Sequence, residues 1–323
     1  MMRILATVSG GGALAVAVVA LVARYLPITS HATMILAVAA PFLSVAAPVA
    51  MVVLALGRRW VLTLVAVVVT VATLWIYVPR YLGPPTAPNP AVDVRVLTAN
   101  LAKGQADSQA FVALADAAAD VVAVQEMTQE AADGLSAAGM NTAFPYRVVL
   151  PAPQASGIGI WSRHPIVHSG RIDGYSLPML GTRIRIPGVV VDTTVLSVHL
   201  AAPWPQPIDY WRRDLAAFPE TLRDMAERAG AGAVIVAGDF NTTVDMAPFR
   251  ELLEQGYDDA GVQAGGGAAR TYPGRGMIPP LIGIDHILVR NATAATVHAV
   301  AVPGADHRAL HATVRVPVDI TAS

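Results

Sequence analysis

Two rhythms of apolar and polar residues divide the chain. Residues 4 to 23, 25 to 57 and 60 to 79 contain no Asp, Glu, Lys or Arg. Each is at least as long as the ~20 residues that cross a ~30 Å hydrocarbon core, which predicts three transmembrane helices. The middle stretch carries Pro27, Pro41 and Pro48, so its span is expected to start near His31 and to be kinked. A cleavable signal peptide is the alternative reading of Met1 to Ala23, and it leaves the large domain on the same side.

Beyond residue 91 the rhythm changes. Residues 82 to 91, "LGPPTAPNPA", read as a semi-rigid spacer of roughly 3 Å per residue. This divides the chain into a membrane domain (1–81), a linker (82–91) and one large α/β domain (92–323). Strand-like runs lie at Val94 to Thr98, Val121 to Val124, Val189 to Val198, Val234 to Ala237, Ile284 to Val289 and Leu310 to Val316. Phe111, Leu114, Ala115 and Ala118 form one helical face, capped by Asp107 or Ser108. Ile208, Trp211, Leu215, Phe218, Leu222 and Met225 form another, which Pro219 is expected to kink or interrupt.

Composition agrees with the membrane reading. Of 323 residues, 54% are hydrophobic and 14% charged, with a mean hydropathy of +0.52. Lys and Arg near membrane ends prefer the cytoplasm, and Arg3, Arg58 and Arg59 outweigh Arg24 and Arg80. The balance favours a cytoplasmic N-terminus and a C-terminal domain outside the cytoplasm, in a multi-pass plasma-membrane protein. Five arginines and no acids precede residue 91, leaving 17 basic against 23 acidic residues in the remainder. That domain offers no excess positive charge to a polyanion. With no cysteine there are no disulfides.

The candidate chemistry sits where apolar strands stop. Asn100 follows "VRVLTA", Glu126 follows "DVVAVQ", His199 follows "TVLSV", and Asp239 with Asn241 follows "VIVAG". Asp285 in "GIDHILV" and Asp306 with His307 in "GADHRAL" complete the set. Buried polar groups need partners, and so many carboxylates converging ask for a hard divalent cation, Mg²⁺ or Mn²⁺. With no Cys in the chain, structural zinc is not indicated.

Seven motifs in order, "TANL", "VVAVQEM", "SGIGIWSRHPI", "LSVHL", "VAGDFNT", "GIDHILV" and "GADHRAL", resemble the endonuclease/exonuclease/phosphatase superfamily. The resemblance implies a DNase I-like four-layer αββα sandwich and a metal-assisted phosphoester hydrolase. By it, Glu126, Asn100 and Asp306 serve the metal. Asp239 orients and deprotonates water, Asn241 donates to phosphate, and Asp285 holds His307 toward the phosphoryl group. His199 binds phosphate or protonates the leaving oxygen. His286, on the opposite strand face from Asp285, and Arg163, in "SRHP", are expected to be structural. Many nucleases of the superfamily have an acid where this chain has Ala102.

Three apolar spans before such a domain resemble, more narrowly, membrane proteins associated with teicoplanin resistance. With the acidic domain, this points to a phosphate or pyrophosphate ester of a cell-envelope lipid as substrate. The alternatives are an exported metal-dependent nuclease and a non-catalytic lipid-binding or sensor module. Nucleic acid is the less favoured partner, and the sequence specifies no oligomeric state.

Overall fold

The computed structural model describes residues 1–83 and 90–319, so most of the proline-rich stretch lies outside the described residues. The chain divides into two compact units. One comprises Met1–Tyr81 with Val244–Arg250, the other Leu82–Thr243 with Glu251–Ser323.

The first unit contains α1 (Met2–Ala23), α2 (His31–Leu43), α3 (Ala46–Leu56) and α4 (Trp60–Tyr77), followed by a 3₁₀ turn at Val78–Tyr81. Met2–Ala23 and Trp60–Tyr81 are long and apolar enough to cross a membrane; α2 and α3 meet at a 56° bend and count as a third span only if the pair is one. The expected kink is therefore a break. Pro48 sits in the first turn of α3, where it needs no N–H partner, and its missing donor prevents α2 from running through. Ser30 caps α2 by accepting from the Thr33 N–H, and Thr33 reciprocates. Leu14, Ala17, Ala47, Ala50, Leu54 and Ala66 fill the centre of the unit, small side chains letting helices approach closely.

The second unit runs in chain order through β1 (Ala91–Asn100), α5 (Ser108–Ala118), β2 (Val121–Gln125), α6 (Gln129–Ala137), α7 (Met140–Ala143), β3 (Tyr146–Leu150) and β4 (Ile158–Ser162). Then come β5 (Ile166–Ile172), β6 (Met179–Ile184), β7 (Thr193–His199), α8 (Ile208–Ala229), β8 (Val234–Asp239) and α9 (Ala247–Leu253), which starts within the first unit. The chain finishes with β9 (Asp258–Asp259), α10 (Ala260–Gln263), β10 (Asp285–Arg290), β11 (Thr293–Ala301) and β12 (Arg308–Pro317).

These strands form two six-stranded sheets, ordered β11-β12-β1-β2-β4-β3 and β5-β6-β7-β8-β10-β9. Val94, Val96, Val121, Ala123 and Ile160 from the first interleave with Leu180, Val195, Ile235, Ala237 and Ile287 from the second. The alternate residues of β1 and β2, Leu97, Ala99, Val122 and Val124, face outward onto Phe111, Ala115 and Leu135 of the covering helices. Period-two alternation thus gives each sheet an inner and an outer apolar face, the layered α/β sandwich expected.

On the second sheet α8 supplies the cover, with Trp211, Leu215, Phe218 and Leu222 buried. Of the two effects expected of Pro219, interruption does not occur, and α8 continues through it. Burial of its apolar stripe, at about 1.5–3 kcal/mol per large side chain, outweighs the roughly 3 kcal/mol that an interior proline costs. The strand expected from Val189 starts at Thr193 instead, because Pro187 and Gly188 form a turn closed by Val189 N–H to the Ile186 carbonyl. The glycine-rich stretch at 264–268 is a loop.

Candidate active site

The apolar runs that build the sheets deliver the polar residues to one place. Asn100 ends β1 beside Gln125, its register partner on parallel β2, and Glu126 follows at once. His199 and Asp239 are register partners at the ends of parallel β7 and β8, while antiparallel β10 begins at Asp285, opposite Asp239. His307 immediately precedes β12.

Close strand approach sets this geometry. At Gly238 a Cβ would lie 2.0 Å from the Val198 carbonyl oxygen, so any side chain would force apart the strands carrying His199 and Asp239. Gly274 is similarly tight: a Cβ there would lie 2.4 Å from the His307 carbonyl carbon. Glu126 (φ 55°) and Asn241 (φ 49°) both adopt the left-handed region, which costs a non-glycine residue energy and recurs at functional sites.

The buried polar atoms are closely paired. Asn100 donates from Nδ2 to Asp239 Oδ2 at 3.0 Å, and its Oδ1 accepts from the Ala102 N–H. Asp239 Oδ1 accepts from the Asn241 N–H at 2.9 Å, while the Asn241 amide donates to the Leu200 carbonyl. Asp285 Oδ2 lies 2.9 Å from His307 Nδ1, and His307 Nε2 lies 3.8 Å from Asp239 Oδ2. His199 Nε2 stands 3.8 Å from Glu126 Oε1 and 3.7 Å from Asp239 Oδ2, with Nδ1 against the Ala155 carbonyl. Glu126 Oε2 accepts from the Lys103 N–H.

Electrostatics separates the two histidines. Burial opposes charging His307, but Asp285 and Asp239 outweigh it and raise its pKa to about 10, so the ring is a cation at neutral pH. Burial dominates at His199 and lowers its pKa despite Asp239. Asp239 is raised by burial, which His307 partly offsets.

Of the residues expected to act chemically, Asp239, Asp285, His307, His199 and Asn241 lie together or are joined by hydrogen bonds. Among the described residues, Asp239, Asp285 and His307 each offer a ligand atom within 4.8 Å of the others. Of the three expected metal residues, Asn100 and Glu126 reach this cluster through Asp239 and His199. Asp306 acts on His307 through its charge, and its carbonyl accepts from the Gly274 N–H. The carboxylates suit a hard cation, and Asp285 Oδ1 is buried without a protein partner, whereas His307, charged and bonded to Asp285, has no lone pair to give a metal.

Sequence reasoning missed the support beneath the site. Gln125 Nε2 donates to Ser197 Oγ at 3.0 Å, and Gln125 also bonds Thr98, all three being buried. The signal was present in "TAN", "VQE" and "SVH", where each strand-end residue has a polar neighbour one or two places before it. Tyr272, whose ring lies 5.1 Å from that of His307, comes from a loop without such a signal. Trp211 donates from Nε1 to the Asn241 carbonyl. His286 is structural, held between Asp259 and the Thr242 carbonyl. Arg163 likewise binds the carbonyls of Asp116, Ala119 and Ala143.

Known proteins share this fold. The 3' phosphatase NExo from Neisseria, solved with a product DNA hairpin, is 21% identical, with a TM-score of 0.53 over 68% of this chain and 98% of that one. Humanized D. rerio TDP2 is 16% identical, with a TM-score of 0.55 over 69% and 98%. An endonuclease/exonuclease/phosphatase family protein from Leptotrichia buccalis is 14% identical, with a TM-score of 0.52 over 68% and 99%. At these identities the likeness shows the fold. No curated protein matches the chain. The sequence matches the Endonuclease/Exonuclease/phosphatase family over residues 34–313, and the chain, with the motifs and the fold just described, belongs to that family.

Proposed function

We propose that the protein is a membrane-anchored, divalent-metal-dependent phosphoester hydrolase whose catalytic unit faces away from the cytoplasm and acts on a phosphate or pyrophosphate ester of an envelope lipid. The observation that carries the hydrolase reading is the joined set Asn100, Glu126, His199, Asp239, Asp285 and His307 at the strand ends. Glu126, with Asn100 and Asp306 in support, would hold the cation, which supplies Lewis-acid stabilisation of phosphoryl charge. Asp239, fixed by the Asn100 amide and the Asn241 N–H, orients water and accepts its proton. Asp285 directs the cationic His307, so that its Nε2 can donate to phosphoryl oxygens as they gain charge. His199 must gain a second proton before Nε2 can donate, because Nδ1 is engaged with the Ala155 carbonyl.

Three membrane crossings are supported by Arg24 and Arg80 meeting the same Asp245. Arg24 caps the end of α1 and Arg80 follows α4, so these two helices end on one side, and α2 with α3 would carry the chain back between them. The lipid substrate is supported by the short tether and by the excess of acids beyond residue 91. The narrower likeness to teicoplanin-resistance membrane proteins points the same way. A nuclease is the second reading, favoured by the DNA bound in the Neisseria phosphatase. The test is phosphate release from polyprenyl phosphates, phospholipids, nucleotides and DNA, with the Asp239→Ala protein as blank. Turnover of a lipid phosphate supports the proposal, and efficient cleavage of DNA alone rejects it.

A further inference from the structure

The first unit contains a second cluster of charged side chains. Arg24 is 4% and Arg80 7% exposed, and both pair with Asp245. Arg80 takes the carboxylate with two prongs, Nη2 to Oδ1 at 2.9 Å and Nη1 to Oδ2 at 3.3 Å. Arg24 contacts Oδ1 from Nη1, and its Nε is buried with no hydrogen-bond partner. One carboxylate therefore compensates two buried guanidiniums and leaves a donor unanswered, a combination that costs kilocalories unless an anion completes it.

The surroundings fix both forks in place. The Tyr77 ring lies 4.8 Å from Arg80 Cζ and 5.3 Å from Arg24 Cζ. Arg250 donates to the backbone carbonyls of Asp245 and Arg24, adding a third cation beside them. Tyr25 and Tyr81, each next to one of the paired arginines, are 63% and 65% exposed. Exposed tyrosines at the ends of apolar helices mark the depth of lipid headgroups.

We infer that Arg24 and Arg80, with Arg250 beside them, form a receptor for a phosphate-class anion, either a phospholipid headgroup or free phosphate, at the end of the helical unit. Planar guanidinium forks match the tetrahedral oxygens of phosphate, and a buried fork already oriented loses little entropy on binding. The site contains none of the residues assigned to hydrolysis and does not rest on that reading.

The test uses full-length Asp239→Ala protein in maltoside micelles, so that turnover plays no part. Its unfolding temperature is followed with inorganic phosphate against chloride of equal ionic strength, and with phosphatidylglycerol against diacylglycerol mixed into the micelles. A rise with phosphatidylglycerol alone identifies a headgroup site, and a rise with inorganic phosphate identifies the free anion. In either case Arg24→Lys, which keeps the charge and loses the fork, should raise the half-saturating concentration at least about tenfold. Asp245→Asn, which removes the competing carboxylate, should not weaken binding. No rise beyond the chloride and diacylglycerol controls, or a rise unchanged in Arg24→Lys, would overturn the inference. If Arg24→Lys fails to fold, Arg80→Lys, at the other fork on Asp245, takes its place with the same expected loss, and a rise unchanged in that variant overturns the inference.

Discussion

Asn100 and Asp239 are 3.0 Å apart, yet they belong to different sheets, Asn100 ending β1 and Asp239 ending β8. The same holds for Gln125 with Ser197, and His307, one residue before β12 of the first sheet, reaches Asp285 of β10 in the second. Asp239→Ala removes the proposed base and the acceptor of the Asn100 bond together. Activity is expected to fall by about 10²–10⁴, with near-unchanged circular dichroism. Asn100→Ala should cost less, on the order of tenfold to a hundredfold, since Asn241 still anchors Asp239 Oδ1.

His307 should titrate near 10 in chelator-treated protein. Its pKa is raised on folding, so the stability it contributes is complete below the ordinary imidazole value of 6.5 and is lost as pH rises through about 10. Asp285→Asn or Asp239→Asn should lower that pKa. Imidazole NMR titration measures it; an unmoved His307 would remove the charge argument for phosphoryl stabilisation.

Chelation should abolish phosphate release, and added Mg²⁺ or Mn²⁺ should restore it. Glu126→Gln is expected to raise the metal concentration for half-maximal activity by a factor of roughly 10–100. If metal titrations of the two proteins coincide, Glu126 is not a ligand.

Gly238→Ala should destabilise the protein by about 1–3 kcal/mol or more, because its Cβ meets backbone, which cannot rotate away. Thermal unfolding in detergent reads this directly. Wild-type stability in this variant would mean that β7 and β8 can separate freely.

His286→Leu leaves the buried Asp259 carboxylate without its ring partner and should cost about 3–5 kcal/mol. The Thr242 carbonyl, one residue after Asn241, also loses its bond from His286, so turnover should fall along with stability. Unfolding and turnover measured on one preparation test both.

Much of this site was legible because strand alternation is strict. "VIVAGDFN" puts Asp239 and Asn241 two apart and turns Phe240 inward, and Phe240 is fully buried against Phe218 and His286. The family resemblance implied His307 and Asp285 as partners, and they lie 2.9 Å apart. Less legible were features set by tertiary context. The polar edge strand β5 has no apolar run to read, and Pro219 sits in a helix that its own sequence argues against. Tyr272 reaches His307 only through the fold of a long loop. The break between α2 and α3 was foreshadowed by the prolines, but its 56° angle depends on packing within the unit.

The Gln125–Ser197 bond spans the seam between the sheets directly behind Glu126 and His199. A site assembled from both sides of a seam makes turnover a gauge of sandwich opening. Parting the sheets by less than the width of a water molecule would uncouple Asn100 from Asp239 and Asp285 from His307 while every strand stayed intact. Catalytic failure on heating would then precede loss of secondary structure, and core substitutions far from any reacting atom, at Val96 or Ile235 for instance, would surface first as lost rate.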